Sequence, residues 1–366
     1  MLVGEGGDAQ VFDVIVIGAG QAGLAAGYFL RRSELRHAIL DRNEGPGGSW
    51  RHTWDSLRLF SPARWSSLPG RLMEGGADYY PHRDEVIKYL TQYEEVYRLP
   101  VQHGVRVDGV FAHDAHLLRL ETNSGEYYAR FVISAAGTWG NPFIPAIPGR
   151  EDFGGRQLHS AHYKTPLEFG GQRVAVVGGG NSGAQILAEL AQVADCTWIT
   201  EHEAVFLPPE LDGRAIFDLA SARYRGEGAV SPASLGDIVQ VAPVREARSR
   251  GVYDHFLPPP ERISREGMHW ADGRFAALDA IIWCTGFKAD LAHLRPLGLQ
   301  NAAGRIDVRD NQALAEPRLF LLGYGSWTGY ASATLVGIGR TARTAVKQIE
   351  ELARAETQQA GANDAR

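Results

Sequence analysis

One local pattern occurs twice in the 366 residues. It is a short apolar run, a glycine-rich turn and a stretch of helix formers. The first copy is Val11–Ile17, then Gly18-Ala19-Gly20-Gln21-Ala22-Gly23, then Leu24–Arg32. The second is Arg173–Val177, then Gly178-Gly179-Gly180-Asn181-Ser182-Gly183, then Ala184–Val193. A short strand-like run follows each, Ala38–Leu40 and Thr197–Thr200, so both read as βαβ units. In such a turn the first glycine permits the tight bend. The second lets the backbone approach a pyrophosphate, and the third lets helix and strand pack closely. Free amides and the helix dipole then favour the anion. An acidic residue about 20 positions on is expected to accept a ribose hydroxyl. Asp41 and Glu201 stand there, at the same interval from Gly18 and Gly178. A repeat this widely spaced is no solenoid. The expected fold class is α/β, with two Rossmann-like dinucleotide-binding domains.

Two dinucleotides in one chain point to a bound flavin and an exchanging nicotinamide. Gly27, one helical turn beyond Gly23, suits FAD at the first site. At the second, Glu201 would accept a free 2′-hydroxyl and repel a 2′-phosphate. NADH is therefore expected to be preferred. His202, when protonated, would soften the repulsion and admit NADPH. Hydride would pass from nicotinamide to flavin, which is the cofactors' own chemistry.

Composition narrows the class. Glycine, at 43 residues, is well above the usual ~7%, as two such turns require. The two cysteines, Cys196 and Cys284, form no CxxC. That excludes a disulfide scaffold, a Cys-ligated zinc site and a sequence-local redox dithiol. Lys+Arg 37 against Asp+Glu 43 gives a net charge of −6, which invites neither nucleic acid nor an anionic membrane. No apolar run is long enough to span a bilayer, and the first residues lack a basic n-region before an apolar stretch. The expectation is a cytoplasmic monomer or homodimer acting on a small-molecule substrate, without a metal.

Between the repeats lie an aromatic, proline-rich stretch (49–82), a helical stretch (84–98) and a hairpin turning at Asn123-Ser124-Gly125. The strand Phe131–Ser134 and a connector stiffened by Pro142, Pro145 and Pro148 follow. Residues 205–265, with Pro208-Pro209 and Pro258-Pro259-Pro260, read as an irregular, lid-like insertion. Ala280–Trp283 and Leu319–Leu322 read as strands, Ala331–Arg354 as a final helix, and 355–366 as a flexible tail.

A further motif connects the repeats. Phe153-x-Gly155-x-x-x-His159-x-x-x-Tyr163 fits the FxGxxxHxxx(Y/W) signature. On these residues the chain resembles the flavin-containing monooxygenases, the class B flavoprotein monooxygenases, and their Baeyer–Villiger relatives. Tyr163 followed by Lys164 leans toward the short bacterial members. In that family the segment links the two domains and helps control nicotinamide binding, which makes His159 and Tyr163 candidate site residues. Ser134-Ala135-Ala136-Gly137-Thr138 and Trp283-Cys284-Thr285-Gly286-Phe287 are similar to paired ATG-type crossings. The resemblance thus assigns Ala136 and Gly137 to FAD, and Thr285 and Gly286 to NAD(P). Gly47-Gly48-Ser49-Trp50 through Ser56–Pro62 resembles the loop that crosses the isoalloxazine. Gly48, Trp50 and Leu59 then join Gly18, Gly20, Gln21, Ala22, Gly23, Asp41, Arg42 and Val107 as FAD candidates. Gly178, Gly180, Asn181, Ser182, Gly183, Glu201 and His202 are the NAD(P) candidates.

The chain departs from the family in two places. No Asn lies between Thr53 and Pro69, and Phe60 takes the place of the usual one, with Arg58, Arg64 and Tyr330 as possible neighbours of the reactive centre. At the ribityl chain Gly325-Ser326 replaces Gly-Asp. The resemblance implies a split FAD domain (1–160 and 279–354) with the NAD(P) domain (161–278) inserted. It also implies an NAD(P)H- and O2-dependent cycle in which a C4a-(hydro)peroxyflavin oxygenates sulfides, ketones or both. A non-catalytic flavin- and NADH-binding sensor, or another NADH-dependent flavin reductase, is the alternative at this stage.

Overall fold

The computed structural model describes residues 10–208, 237–329 and 331–364. Its larger sheet is built around Gln10–Ile17, which lies parallel to His37–Asp41 on one side and Gly125–Ser134 on the other. Val14, Ile15 and Val16 are fully buried. Such unbroken apolar runs belong to strands covered on both faces. Val101–His103 extends the sheet beyond His37–Asp41. On the other side Leu319–Leu321 pairs parallel with Gly125–Ser134, so late residues complete a sheet begun by the first. Val107–Ala112 and Leu118–Thr122 add an antiparallel extension, and Thr122 faces Gly125 across the expected two-residue turn.

The second sheet has the order Arg156–His159, Ala280–Trp283, Arg173–Val177, Asp195–Ile199, all parallel. Its two outermost segments in sequence fall outside the expected 161–278. The strands of this sheet run from 156 to 283. Parallel pairing between strands so far apart has no local signal, so the boundary could not be placed from the chain alone. A small antiparallel sheet, Arg262–Ile263, Gly267–His269 and Phe275–Ala277, belongs to the same insertion.

Helix Gln21–Leu30 is buried almost all round. Its Ala and Gly residues let it lie close between the sheet, the helix Arg83–Tyr97 and the C-terminal helix. That last helix spans Ile338–Asp364 and differs from expectation at both ends. It begins at Ile338 because Ala331 sits at φ +53, outside the helical region, and the hydroxyls of Thr328 and Ser332 are spent on the Gly325 carbonyl. It continues through 364 because Ala, Gln and Glu in the expected tail are helix formers.

Of the expected insertion at 205–265, residues 209–236 lie outside the described residues. Part of the rest is core. Ile238, Val239, Val241, Val244 and Ala247 are buried in the second unit's core. Helix Ala242–Ser249 packs there, and Tyr253 donates to the Ala184 carbonyl at 2.8 Å. Among the described residues no helix is long and apolar enough to cross a membrane, and no group of His, Cys, Asp and Glu could hold a metal ion.

The tightest point of the first unit is Gly23, where an added Cβ would stand 1.8 Å from the Gly18 carbonyl oxygen. Gly23→Ala is expected to cost about 2–3 kcal/mol, read as a lower denaturant midpoint with an unchanged m-value. A midpoint equal to wild type would contradict this packing.

Candidate functional site

At the first turn Gly18 adopts φ +100, and an added Cβ would meet the Ala135 carbonyl oxygen at 2.7 Å. Gly20 differs: its Cβ position has nothing within 4 Å. Gly20 is also the N-cap of helix Gln21–Leu30, with no side-chain cap and no acid in the first turn. The first amides of the helix therefore lack protein partners and face open space. That space is a cavity of about 410 Å³. The turn forms one wall with Gly18, Gly20, Gln21 and Ala22. Asp41, Arg42 and Asn43 form another, and Gly48, Ser49 and Trp50 a third. Residues 105–108, 135–139 and 290–293, in part, complete it, with Gly323 and Ala333.

Asp41 ends its strand inside this cavity and is 3% exposed. Asn43 donates its backbone N–H (3.3 Å) and side-chain amide (3.1 Å) to one carboxylate oxygen, and His103 Nδ1 lies 3.9 Å from the other. His103 in turn meets Glu94 at 3.0 Å. Arg42 pairs with Asp290 at 2.9 Å on the rim. Gly140 lies flush beneath that pair, since a Cβ there would stand 2.2 Å from the Asp290 carboxylate.

A buried polar chain backs the same wall. The Ala136 N–H donates to Tyr324 Oη (3.2 Å), which meets Ser134 Oγ at 2.5 Å, and Ser134 Oγ meets His293 Nε2 at 2.9 Å. Tyr324, Ser134 and His293 thus form one buried hydrogen-bonded chain behind the wall. Burial pulls the His293 pKa down to about 4 and pushes the Tyr324 hydroxyl well up. An open glycine beside unpaired amides and a buried carboxylate against Val105 and Val107 fit a dinucleotide.

The second turn repeats the construction. Gly178 has φ +134, with its Cβ position 2.3 Å from the Cys284 carbonyl oxygen, and Gly183 would meet the Gly178 carbonyl at 2.2 Å. Gly180 caps Asn181–Leu190 without a side-chain bond. The Asn181 side chain is spent elsewhere, donating to the Asp237 carbonyl and accepting from the Val239 amide, both at 2.9 Å. Ser182 is half-buried at the helix start, and Glu201 and His202 are exposed at the strand end. Beside Gly179 the buried Thr200 hydroxyl has no partner among the described residues.

Of the FAD candidates, Gly18, Gly20, Gln21, Ala22, Asp41, Arg42, Gly48, Trp50, Val107, Ala136 and Gly137 line the one cavity. Gly23 and Leu59 pack beneath it instead. Gly325 spends its carbonyl on Ser332 and Thr328, and Ser326 is exposed, so Gly323 and Ala333 occupy the wall expected for them.

Arg58, Phe60, Tyr163 and His159, the four catalytic candidates, do not line the cavity. Arg58 is exposed and donates to the Tyr80 carbonyl at 3.1 Å, and Phe60 is 36% exposed. Arg64 is also exposed, and Tyr330 lies outside the described residues. Tyr163 is 1% exposed in the second core, where its hydroxyl donates to Glu189 at 3.2 Å. His159 donates from Nε2 to the Gly286 carbonyl (2.9 Å) and accepts the Ala161 amide at Nδ1 (3.1 Å). Its burial favours the neutral ring. It reaches the cavity only through Phe287, edge-on at 4.8 Å, which stacks on Trp139. Thr285 bonds the Phe143 carbonyl, tying the connector to the same crossing. Asn43, Trp139, Asp290 and His293 went unpredicted. Phe287 ends a motif that was read, but nothing local marks the others.

The family model for pyridine nucleotide-disulphide oxidoreductases matches residues 15–207. The solved flavin-containing monooxygenase from Stenotrophomonas maltophilia is 51% identical. The alignment covers 94% of this chain and 99% of that one, with a TM-score of 0.86. The uncharacterized oxidoreductase CzcO of Bacillus velezensis is 32% identical over 93% of this chain and 99% of its own length. An indole-3-pyruvate monooxygenase of Oryza sativa is 27% identical over 76% of this chain.

The neutral His293 sets a pH dependence. Its pKa falls from 6.5 to about 4 on folding, so the unfolded chain binds the extra proton between those values. Stability is then expected to fall as pH drops from about 6.5 toward 4, by at most about 3 kcal/mol. His293→Gln should flatten that acid limb in denaturation midpoints measured from pH 7 to 4.5. An unchanged limb would remove His293 as its cause.

Proposed function

The chain belongs to the pyridine nucleotide-disulphide oxidoreductase family and, within it, to the flavin monooxygenases, and from that membership we propose an NADH-preferring, O2-using enzyme that oxygenates sulfides or ketones. The observation that carries the reading is the cavity at the first turn, with its open Gly20, unpaired helix amides and buried Asp41.

In this reading the amides at the start of Gln21–Leu30 hold the FAD pyrophosphate. Asp41, steadied by Asn43, accepts a ribose hydroxyl. The Arg42–Asp290 pair closes the rim, and Trp50, Trp139 and Phe287 keep water from the wall they line. At the second turn the amides of Asn181–Leu190 hold the nicotinamide dinucleotide, and Glu201 disfavours a 2′-phosphate. Held by those amides and Asp41, FAD would supply the redox chemistry between a reduced nicotinamide and O2, one oxygen atom going to the substrate and the other to water. A dithiol relay has no residues to run on. Cys196 and Cys284 are both pushed up to about 12 by burial, and neither is a ready thiolate.

The purified chain should be yellow, oxidise NADH in air, and give oxygenated product from a panel of thioethers and cyclic ketones. NADH consumption with neither product nor peroxide would contradict the proposal. The kcat/KM ratio of NADH over NADPH is expected to be about tenfold, worth about 1.4 kcal/mol, and Glu201→Arg should bring it to unity or below. A wild-type ratio favouring NADPH would sink the role given to Glu201.

A further inference from the structure

The loop that leaves the cavity wall is stitched to the second unit. Ser56 donates its hydroxyl to one oxygen of the Glu189 carboxylate, and Tyr163 donates to the other at 3.2 Å. Lys164 Nζ donates to the carbonyls of His52 (2.7 Å) and Thr53 (3.2 Å), and the Asp55 amide donates to the Lys164 carbonyl at 3.0 Å. Trp54, 4% exposed, packs edge-on against Tyr163. From its own unit the same loop is held by Arg83, which bonds the Thr53 carbonyl and pairs with Asp55.

Two positions of this construction matter for coupling. The loop carries Trp50 and His52 into the cavity. Glu189 is the penultimate residue of Asn181–Leu190, whose first amides belong to the second glycine turn. A helix of 10 residues is about 15 Å long and moves as a rigid rod. One end therefore faces the second dinucleotide site, and the other grips the loop that lines the first. The carboxylate is half-buried on the helix and accepts from Ser56 on one side of the junction and Tyr163 on the other.

We propose that Glu189 is a positioning residue that couples the two sites. A dinucleotide bound at the second turn acts on the helix N-terminus, and Glu189 carries that action through Ser56 to the loop and to Trp50 and His52. The coupling rests on the assignment of the two dinucleotide sites above. It is reciprocal, so occupancy of the first site alters affinity at the second by the same factor.

The test uses oxidised holoenzyme without turnover. NAD+ is titrated in while the visible flavin spectrum is recorded, and its affinity is measured independently by calorimetry. Wild type should give a saturable flavin difference spectrum. Ser56→Ala, at an exposed position, should still bind NAD+ by calorimetry yet lose at least half of that amplitude at saturation. Glu189→Gln should do the same, and Ser56→Thr, which keeps the hydroxyl, should restore it. Variants with the full amplitude, or a wild type that binds NAD+ with no flavin change, would overturn the coupling while leaving the cofactor assignment standing. A chain that takes up no FAD would overturn both.

Discussion

Everything in this fold hangs on four places where backbone must touch backbone. Within each turn the third glycine is pressed against the carbonyl of the first, Gly23 on Gly18 and Gly183 on Gly178. Across each sheet the first glycine is pressed against the end of the neighbouring parallel strand, Gly18 on Ala135 and Gly178 on Cys284. Any Cβ at these points would have to displace main chain, not a side-chain tip. The two crossings hold strand, helix and next strand at one distance. That distance aims the helix amides at a gap and not at protein. The cavity is thus a consequence of the crossing, and its chemistry follows from which residues end the strands around it.

The two turns share this construction but differ in what surrounds them. The first helix is buried on nearly every side, and its acid, Asp41, is enclosed and steadied by Asn43. The second has its acid, Glu201, in solvent, and its Asn181 is diverted to pin residues 237–239. A pre-ordered, enclosed acceptor loses little freedom when it binds and releases its partner slowly. An open one exchanges readily. The asymmetry suits a resident dinucleotide at the first turn and a travelling one at the second.

The parts legible in the chain were those set by short-range rules. Glycine spacing, strand-ending acids and the Asn123-Ser124 turn each depend on a few consecutive residues, and each stands where it was read. What escaped depended on distant partners. That Arg156–His159 belongs with Ala280–Trp283 is decided by pairing alone. That Ala331 takes a left-handed conformation is decided by hydroxyls gathered on Gly325. Asp290 and His293 enter the cavity because the chain returns past Gly137, whose carbonyl accepts the Asp290 amide at 2.9 Å. The motif histidine and tyrosine were readable as residues but not as roles. The side chains of His159 and Tyr163 face protein, His159 against Phe287 and Tyr163 on Glu189.

Those two residues also show why polar groups are kept at the junction, where apolar packing would be simpler. Apolar surfaces tolerate small slides, because contact area changes little with register. A carboxylate held by two hydroxyls does not, since moving the loop away from Glu189 strips Ser56 from a half-buried acceptor. Losing one such bond costs about 1–3 kcal/mol, enough to favour one arrangement of the loop by about fivefold to more than a hundredfold. Lys164 acts in the same direction, since its ammonium bonds the carbonyls of His52 and Thr53. The loop is therefore fixed by directional bonds from the second unit at both the main chain and Ser56. Its position over the first cavity is set by the second unit as much as by its own.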